Sequence, residues 1–535
     1  MPDQMDSESM RLKAIVERHH PDYVKNIVEW KFLRQSVEGG DGYLKGNLFK
    51  HPQEEPEVYA QRSQRATDNH FNICQLVNDT YEGYVFQNLP TETDNLDPLF
   101  HSFILQADLE GKPASNLAQE VMHWMDTYGW VAVCVDKPNT DTDVTPANAA
   151  QELSQGLIPY AYVVHPTHIL NGKITHGIIC WLLVQEDVLD NDDPWTSSGQ
   201  VVTQWRLWEP HQWTLIQKIT DAQGERYTST TGVNELGEIP FVMFYFTEAE
   251  GFCCKGLLSD IAHMDRAVFN KASLLDEIHY AATFPQLAIP FDGDLFDEDG
   301  LTGEGKQILT MGLQSVLPFR SAAGPPEYVS PSSGPAEVLE RNIQKLIQMA
   351  LSLALLDGEI AKDGHTKTAS SGVSKAYVFE KLNRRLSNIA DTLEQGFTRV
   401  FRLVALWMGK DPATLPACLW SFPDSFEVRS LAQEIADSIS LLAAGIPSDT
   451  AKKILFKTLV RKAYPKLTIE QLDAIDAEIE SFDYTSMNVK WLSAIEDPQT
   501  PTDQLKTDSL TANAEKSSAR KIAQQFGGGG DSSIG

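Results

Sequence analysis

The sequence predicts an α+β fold, and three observations carry that expectation. Apolar residues recur at helical spacing near the N-terminus and again from about residue 257 onward. Between about 158 and 248 the pattern changes to short runs rich in β-branched and aromatic side chains, separated by turn sequences. The helical middle of the chain is interrupted by a Gly-, Pro- and acid-rich excursion from about 284 to 334.

The elements follow in order. Residues from about 8 to 36 read as one helix, with Ile15, Val16, Tyr23, Val24, Ile27, Val28 and Trp30 near 3.6 spacing, broken by "EGGDGYL". A second helix is expected from about Pro56 to Glu82, with Tyr59, Ala66, Phe71, Ile73 and Val77 on its apolar face and Arg62 and Arg65 on its polar side. The stretch "ASNLAQEVMHWMDTYGW" reads as a third helix running into the strand "VAVCVDKP". The runs "IPYAYVVHP", "HGIICWLLVQ", "VVTQWRLWEP", "QWTLIQKIT", "RYTST" and "PFVMFYF" predict an antiparallel meander with turns at "DNDDPW" and "DAQGE". A helix near 257 to 282 leads into the excursion, whose short strand candidates are "QILTMG", "SVLPF" and "EYVS". A second helix, "PAEVLERNIQKLIQMALSLALLDG", leaves it. A small polar loop and a very long helix, 373 to 409, follow. After the Pro-rich break near 411 to 426 comes a helical region, with Ser448 as a cap and Thr468 with Gln471 at capping-box spacing. From about 498 the polar chain reads as a disordered tail.

The 535 residues correspond to about three or four structural units. Forty-four basic against 74 acidic residues give a net charge of -30. A protein that coats duplex DNA is expected to be basic, because phosphate neutralisation dominates such binding. Contact with DNA is therefore expected to be local or weak. Six cysteines, Cys74, Cys134, Cys180, Cys253, Cys254 and Cys418, include no C-x-x-C pair and read as small buried hydrophobes in a reducing compartment. "MPDQMDSESMRLK" does not read as a signal peptide, and the longest apolar run, near "MALSLALL", is far short of a membrane span.

"GLTGEGKQ" at 300 to 307 approaches a phosphate-binding loop through Gly300, Gly305 and Lys306, but Gln307 stands where the metal-binding hydroxyl belongs. The acidic residues just before it would repel a nucleotide, so a glycine-rich hairpin is expected. Asp292, Asp294, Asp297, Glu298 and Asp299 do not form a calcium loop, because aligning Gly300 puts Leu295 at the first ligand position. Thirteen histidines show no H-E-x-x-H, and there is no G-x-S-x-G. The sequence offers no reason to expect an enzyme, a metal or a cofactor. The loop from Asp357 to Gly372 differs in kind: Lys362, His365 and Lys367 stand among Gly, Ser, Thr and Ala in an otherwise acidic chain. Arg341 and Lys345, four apart, share a face of the preceding helix.

This order of elements resembles the portal proteins of tailed bacteriophages. The stretches "YVKNIVEWKFLRQSVEGGDGYL", "YAQRSQRATDNHFN", "YGWVAVCVDKP", "NELGEIPFV", "LLSDIAHMDRAVFN" and "ATFPQLAI" are similar to a poorly named subgroup of such structural proteins. The match covers most of residues 20 to 460 and lies in the ordered set rather than in any one motif. The resemblance implies an α+β wing over 1–256, stem helices at 257–283 and 335–356, and a small α/β clip at 284–334 between them. It further implies a tunnel loop at 357–372, a long wing helix and connection at 373–427, and a helical crown at 428–497, before the tail at 498–535.

The resemblance also implies a ring of twelve copies at one capsid vertex, passing double-stranded DNA during packaging and ejection. Lys362, His365 and Lys367 would face DNA in the tunnel, with Arg341 and Lys345 possible in the stem lumen. Asp292, Asp294, Asp297, Glu298, Asp299 and Lys306 would lie on a clip surface that docks the terminase large subunit and later the head-completion adaptor and tail proteins. Major capsid protein and scaffold are further implied partners, and no membrane is. The implied location is the virion, after assembly in the host cytoplasm. The family has no catalytic residues to carry over, and the resemblance gives no role to the acidic loop "EDVLDNDDPW". The rival readings are a phage nuclease or packaging ATPase, which would need clustered acidic metal ligands or an intact phosphate loop, and a capsid or tail adaptor without a channel.

Overall fold

The computed structural model describes residues 7–66, 70–87, 90–92, 98–108, 110–138, 157–189, 199–221, 224–249, 252–283, 286–290, 296–297, 300–301, 316–319, 325, 327–329, 334–356, 372–416, 418–423, 426, 448–463 and 469–481. The chain divides into two compact units, Met1–Phe426 and Glu427–Gly535.

The first unit is α+β. Helices α1 (Ser7–Glu17) and α2 (Pro21–Glu38) replace the single N-terminal helix expected from the periodicity. Pro21 is the reason. The residue before a proline is disfavoured in helical geometry by a clash with the proline ring, and His20 is extended, at φ -64° and ψ 142°. Its Nδ1 then caps α2 by accepting from the Asp22 amide at 3.2 Å. The second expected helix is likewise two, α4 (Pro56–Arg65) and α5 (Ile73–Val85), after the short α3 (Gly40–Asn47). Asn72 caps α5, its Oδ1 accepting from Gln75 N at 2.8 Å. Phe71, expected on the apolar face, is exposed.

After the short strand β1 (Thr91–Glu92) and α6 (Pro98–Leu105), α7 (Ala114–Tyr128) turns straight into β2 (Trp130–Asp136). Gly129 makes that turn with φ +92°, and its amide bonds Met125 O at 2.8 Å. A side chain there would strike the backbone of Cys254 to Gly256.

The strand region forms two sheets rather than one meander. Strands β3 (Tyr160–Val164) and β9 (Phe241–Tyr245) flank β2, so the first and last runs pair with a strand from outside the region. Between them β4 (Ile169–Thr175), β5 (Ile178–Leu189), β6 (Val201–Trp208), β7 (Gln212–Asp221) and β8 (Gly224–Val233) form the antiparallel meander. Strand β4 was not legible in sequence: Asn171, Gly172 and Lys173 dilute its β-character, and it pairs with β5 through two register shifts. Leu12 and Val16 of α1 cover one face of the meander, against Leu183, Trp205 and Ile216. Cys74 and Cys134 are buried as expected, whereas Cys180, Cys253, Cys254 and Cys418 are half-buried; none of the six is in a disulfide.

Helices α8 (Ser259–Thr283), α9 (Gly334–Leu353) and α10 (Gly372–Trp407) form the rest of the helical core. Helix α10 buries Leu382, Leu386, Ile389, Leu393, Phe397, Val400 and Val404 at helical spacing, and Gly396 leaves room for the Phe244 ring of β9. Strand β15 (Trp420–Ser421) pairs with β1.

In the second unit α11 (Asp449–Ala463) begins at Ser448, whose Oγ accepts from Ala451 N at 3.3 Å. It meets α12 (Ile469–Ser481) through Lys453 and Lys457, both paired with Glu480 at 2.8 and 3.1 Å. Thr468 and the tail from 498 lie outside the described residues.

Candidate functional site

The helices α8 and α9 bracket the excursion. Its first strand, β10 (Gln286–Pro290), pairs in parallel with β13 (Val316–Phe319) and antiparallel with β14 (Glu327–Val329), its last described strand. The β10–β14 pairing closes the insertion at its base, so α8 enters and α9 leaves side by side in opposite directions. His279 and Glu340 approach across the two helices at 3.8 Å. Between these strands β11 (Phe296–Asp297) and β12 (Gly300–Leu301) form a hairpin with Asp297 opposite Gly300.

One face of α8 is tied into the first unit. Asp265 is fully buried, and its carboxylate accepts from Tyr43 Oη at 3.0 Å and Ile73 N at 3.1 Å, with His70 Nε2 at 3.2 Å. Three partners satisfy a group that would otherwise be costly to bury. Burial, followed by Asp265, pushes the Tyr43 hydroxyl far up, so it stays protonated and donates. One turn on, Asn270 accepts from Phe49 N and donates to Asn47 O, both at 2.8 Å. Ser273 accepts from Arg62 at 3.2 Å, and Glu277 pairs with Arg65, which also lies over the Tyr280 ring.

Arg62 corrects the sequence expectation: far from lying on a polar face, it is 2% exposed. Its guanidinium grips Glu54 at 2.7 and 2.8 Å and Phe49 O at 2.8 Å. That grip holds the Glu54 carboxyl below its usual range.

The end of α9 is held differently. Tyr81 Oη donates to Ala354 O at 2.7 Å, and Arg385 of α10 donates to Tyr81 Oη and to Leu353 O, both at 3.2 Å. Burial pushes the Tyr81 hydroxyl up to about 12, against the pull of Arg385. A cation on the last carbonyls also suits the negative end of a helix. Both helices are thus fixed at the body.

Of the residues singled out in the sequence, Arg341 and Lys345 lie exposed on α9, and neither makes an ion pair among the described residues. Asp297 belongs to the β11–β12 hairpin. Asp292, Asp294, Glu298, Asp299 and Lys306 lie outside the described residues, as do Lys362, His365 and Lys367. Among the described residues no group of three or more His, Cys, Asp and Glu could hold a metal ion, and no helix is long and apolar enough to cross a membrane. The fold does gather His123, His165 and His168 near Trp124, with ring centroids 4.9 Å from His123 to Trp124, 4.6 Å from Trp124 to His165 and 6.1 Å from His165 to His168. Burial drives His165 down to about 4, which leaves a neutral packing ring.

No family model matches the sequence, and no curated protein does. Among solved structures, a chain from the neck of an empty GTA particle computed with C6 symmetry is similar at TM-score 0.37 and 13% identity, over 84% of this chain and 98% of that one. A chain from the virion of a native gene transfer agent particle is similar at TM-score 0.35 and 12% identity, over 79% and 98%. One from the neck of a native GTA particle computed with C12 symmetry is similar at 0.36 and 10%, over 77% and 96%. At TM-scores below 0.5 these stand as likenesses only.

Proposed function

We propose that this chain is a portal subunit of a tailed phage or phage-like particle, a structural protein with no hydrolytic activity of its own. The observation that carries the reading is the anchored pair α8 and α9 around an insertion closed by β10 and β14, followed in sequence, after a link at 357–371, by the 36-residue helix α10. In this reading α8 and α9 are the stem, the insertion is the clip, and the link to α10 is the tunnel loop. The helices of the second unit belong to the crown.

The net charge of -30 fits a channel whose wall repels the duplex, so that DNA slides while a few cations touch phosphates transiently. Arg341 and Lys345 on the free face of α9, and Lys362, His365 and Lys367 in the link, are the cations assigned to that role. The clip docks the terminase large subunit first and head-completion or tail proteins later, at the capsid vertex.

Size exclusion with mass measurement, and an electron image of the purified full chain along its axis, test the reading. A closed ring near twelve copies with a central hole is the expected result. A stable monomer, or ATP hydrolysis that disappears in Lys306→Ala, overturns it.

A further inference from the structure

The two ends of the long strand β5 differ in chemistry: an arginine-bearing apolar groove lies at its start, and an acidic sequence follows its end. At its start a groove of about 380 Å³ opens between the β4–β5 turn, strand β9 and helix α10. Its floor is apolar, with Ile174, Ile239, Phe241 and Met243, and Ile178 at its lip is 70% exposed. Arg399 and Arg402 of α10 line the same groove, against a single acid, Glu238. Both arginines are exposed, and neither has an ion pair or side-chain hydrogen bond among the described residues. Strand β9 is also an edge strand of its three-stranded sheet, with no further strand beside it among the described residues.

At the other end of β5 the hairpin with β6 finishes in two apolar cross-strand pairs, Val188 with Val202 and Leu189 with Val201. All four side chains are exposed. The connection between them reads DNDDPW, with Asp190, Asp192, Asp193 and Trp195. In sequence, then, an acidic connection outside the described residues joins the apolar strand ends, whereas the groove pairs arginine with apolar surface.

A chain cannot make this match with itself. Eleven steps along β5 separate Ile178 from Leu189, roughly 36 Å at strand rise. The connection of 11 residues, 190–200, leaves and returns, so it reaches back at most about 18 Å. Two unlike patches at opposite ends of one strand are what a heterologous, head-to-tail contact requires.

We propose that the Arg399–Arg402 groove receives the acidic end of the β5–β6 hairpin of a second copy of this chain. The aspartates meet the arginines, and the apolar hairpin end covers the groove floor. The proposal borrows from the portal reading only the closure of such contacts into a ring; the contact itself would form equally in an open chain of copies.

Three variants of the full chain test it: Arg399→Glu with Arg402→Glu, Asp190→Arg with Asp193→Arg, and all four together. Each pair alone should weaken assembly by about tenfold or more in concentration, and the combination should restore it, since every copy then carries both reversed surfaces. A combination no better than the weaker pair overturns the contact. A labelled peptide of residues 188–197 should bind the Asp190→Arg, Asp193→Arg chain, whose groove its own copies cannot fill, and bind about tenfold less once the arginines are reversed. Absence of binding, or binding indifferent to the arginines, also overturns it. If closed rings form alike in every variant, the portal reading stands and this contact falls. If charge reversal and rescue occur without closed rings, the contact stands and the portal reading falls.

Discussion

Arg62 of α4 donates to Ser273 of α8 at 3.2 Å from a side chain only 2% exposed, joining residues 211 apart in sequence. Its charge is matched by Glu54, itself close to buried. The pair ties α8 to the helices that precede it, so in the portal reading it fixes the root of the stem.

Removing one partner of a buried pair leaves the other uncompensated, at a cost of roughly 3–5 kcal/mol. Arg62→Ala should therefore lower the denaturation midpoint sharply. Arg62→Lys should fall between it and the native chain, because it keeps the charge and loses the two-pronged grip on Glu54. Urea titration followed by tryptophan fluorescence measures both. Equal midpoints for Arg62→Ala and the native chain would show that the pair contributes nothing.

Tyr81→Phe should act on α9. It strips the donor from Ala354 O and the acceptor from Arg385, at a cost of about 1–3 kcal/mol for the buried group left unsatisfied. The loss should be local. Amide exchange should quicken at residues 350–356 while β2 and β9 stay protected. Unchanged exchange there would mean that packing alone holds the end of α9.

The Lys362→Ala, Lys367→Ala chain tests the link into α10. In the portal reading, two lysines per copy are too few for tight DNA binding, so rings should form normally while packaged DNA leaks or ejects abnormally. Assembled rings, packaged length and leakage are the measurements. Failure to assemble would make the link a structural joint. Native packaging and retention would make its charges solvated only.

The long helices were legible because their apolar residues repeat at helical spacing over many turns, as in α10 from Leu382 to Val404. The breaks were less so. Pro21 and Asn72 end continuous periodic stretches, and periodicity counts apolar residues while caps act through one polar atom. Arg62 read as surface because an arginine is seldom buried without a partner, and its partners are eight and 211 positions away. The Arg399–Arg402 groove was invisible for the same reason: three distant segments build it. Asp265 sits in the quoted stretch "LLSDIAHMDRAVFN", yet its neighbours gave no hint that it binds Tyr43, His70 and Ile73.

Asp126 gives the last prediction. It lies in the last turn of α7, fully buried, with no hydrogen bond to either carboxylate oxygen among the described residues. Burial pushes its carboxyl well up, Glu82 adds to the rise, and Arg385 opposes it. The folded state therefore keeps a proton that the unfolded chain releases in the ordinary carboxylate range. The sign follows: stability is greatest at low pH with respect to this group. It falls as pH rises from the ordinary range to the raised folded value, with a slope of up to about 1.4 kcal/mol per pH unit for one proton. Asp126→Asn mimics the protonated acid in shape and cannot ionise. Its midpoint should exceed that of the native chain at pH 8, and the difference should shrink toward pH 5. Denaturation at both pH values decides it. An Asn variant less stable at pH 8 would mean that Asp126 is held as a carboxylate, with Arg385 as its counter-charge.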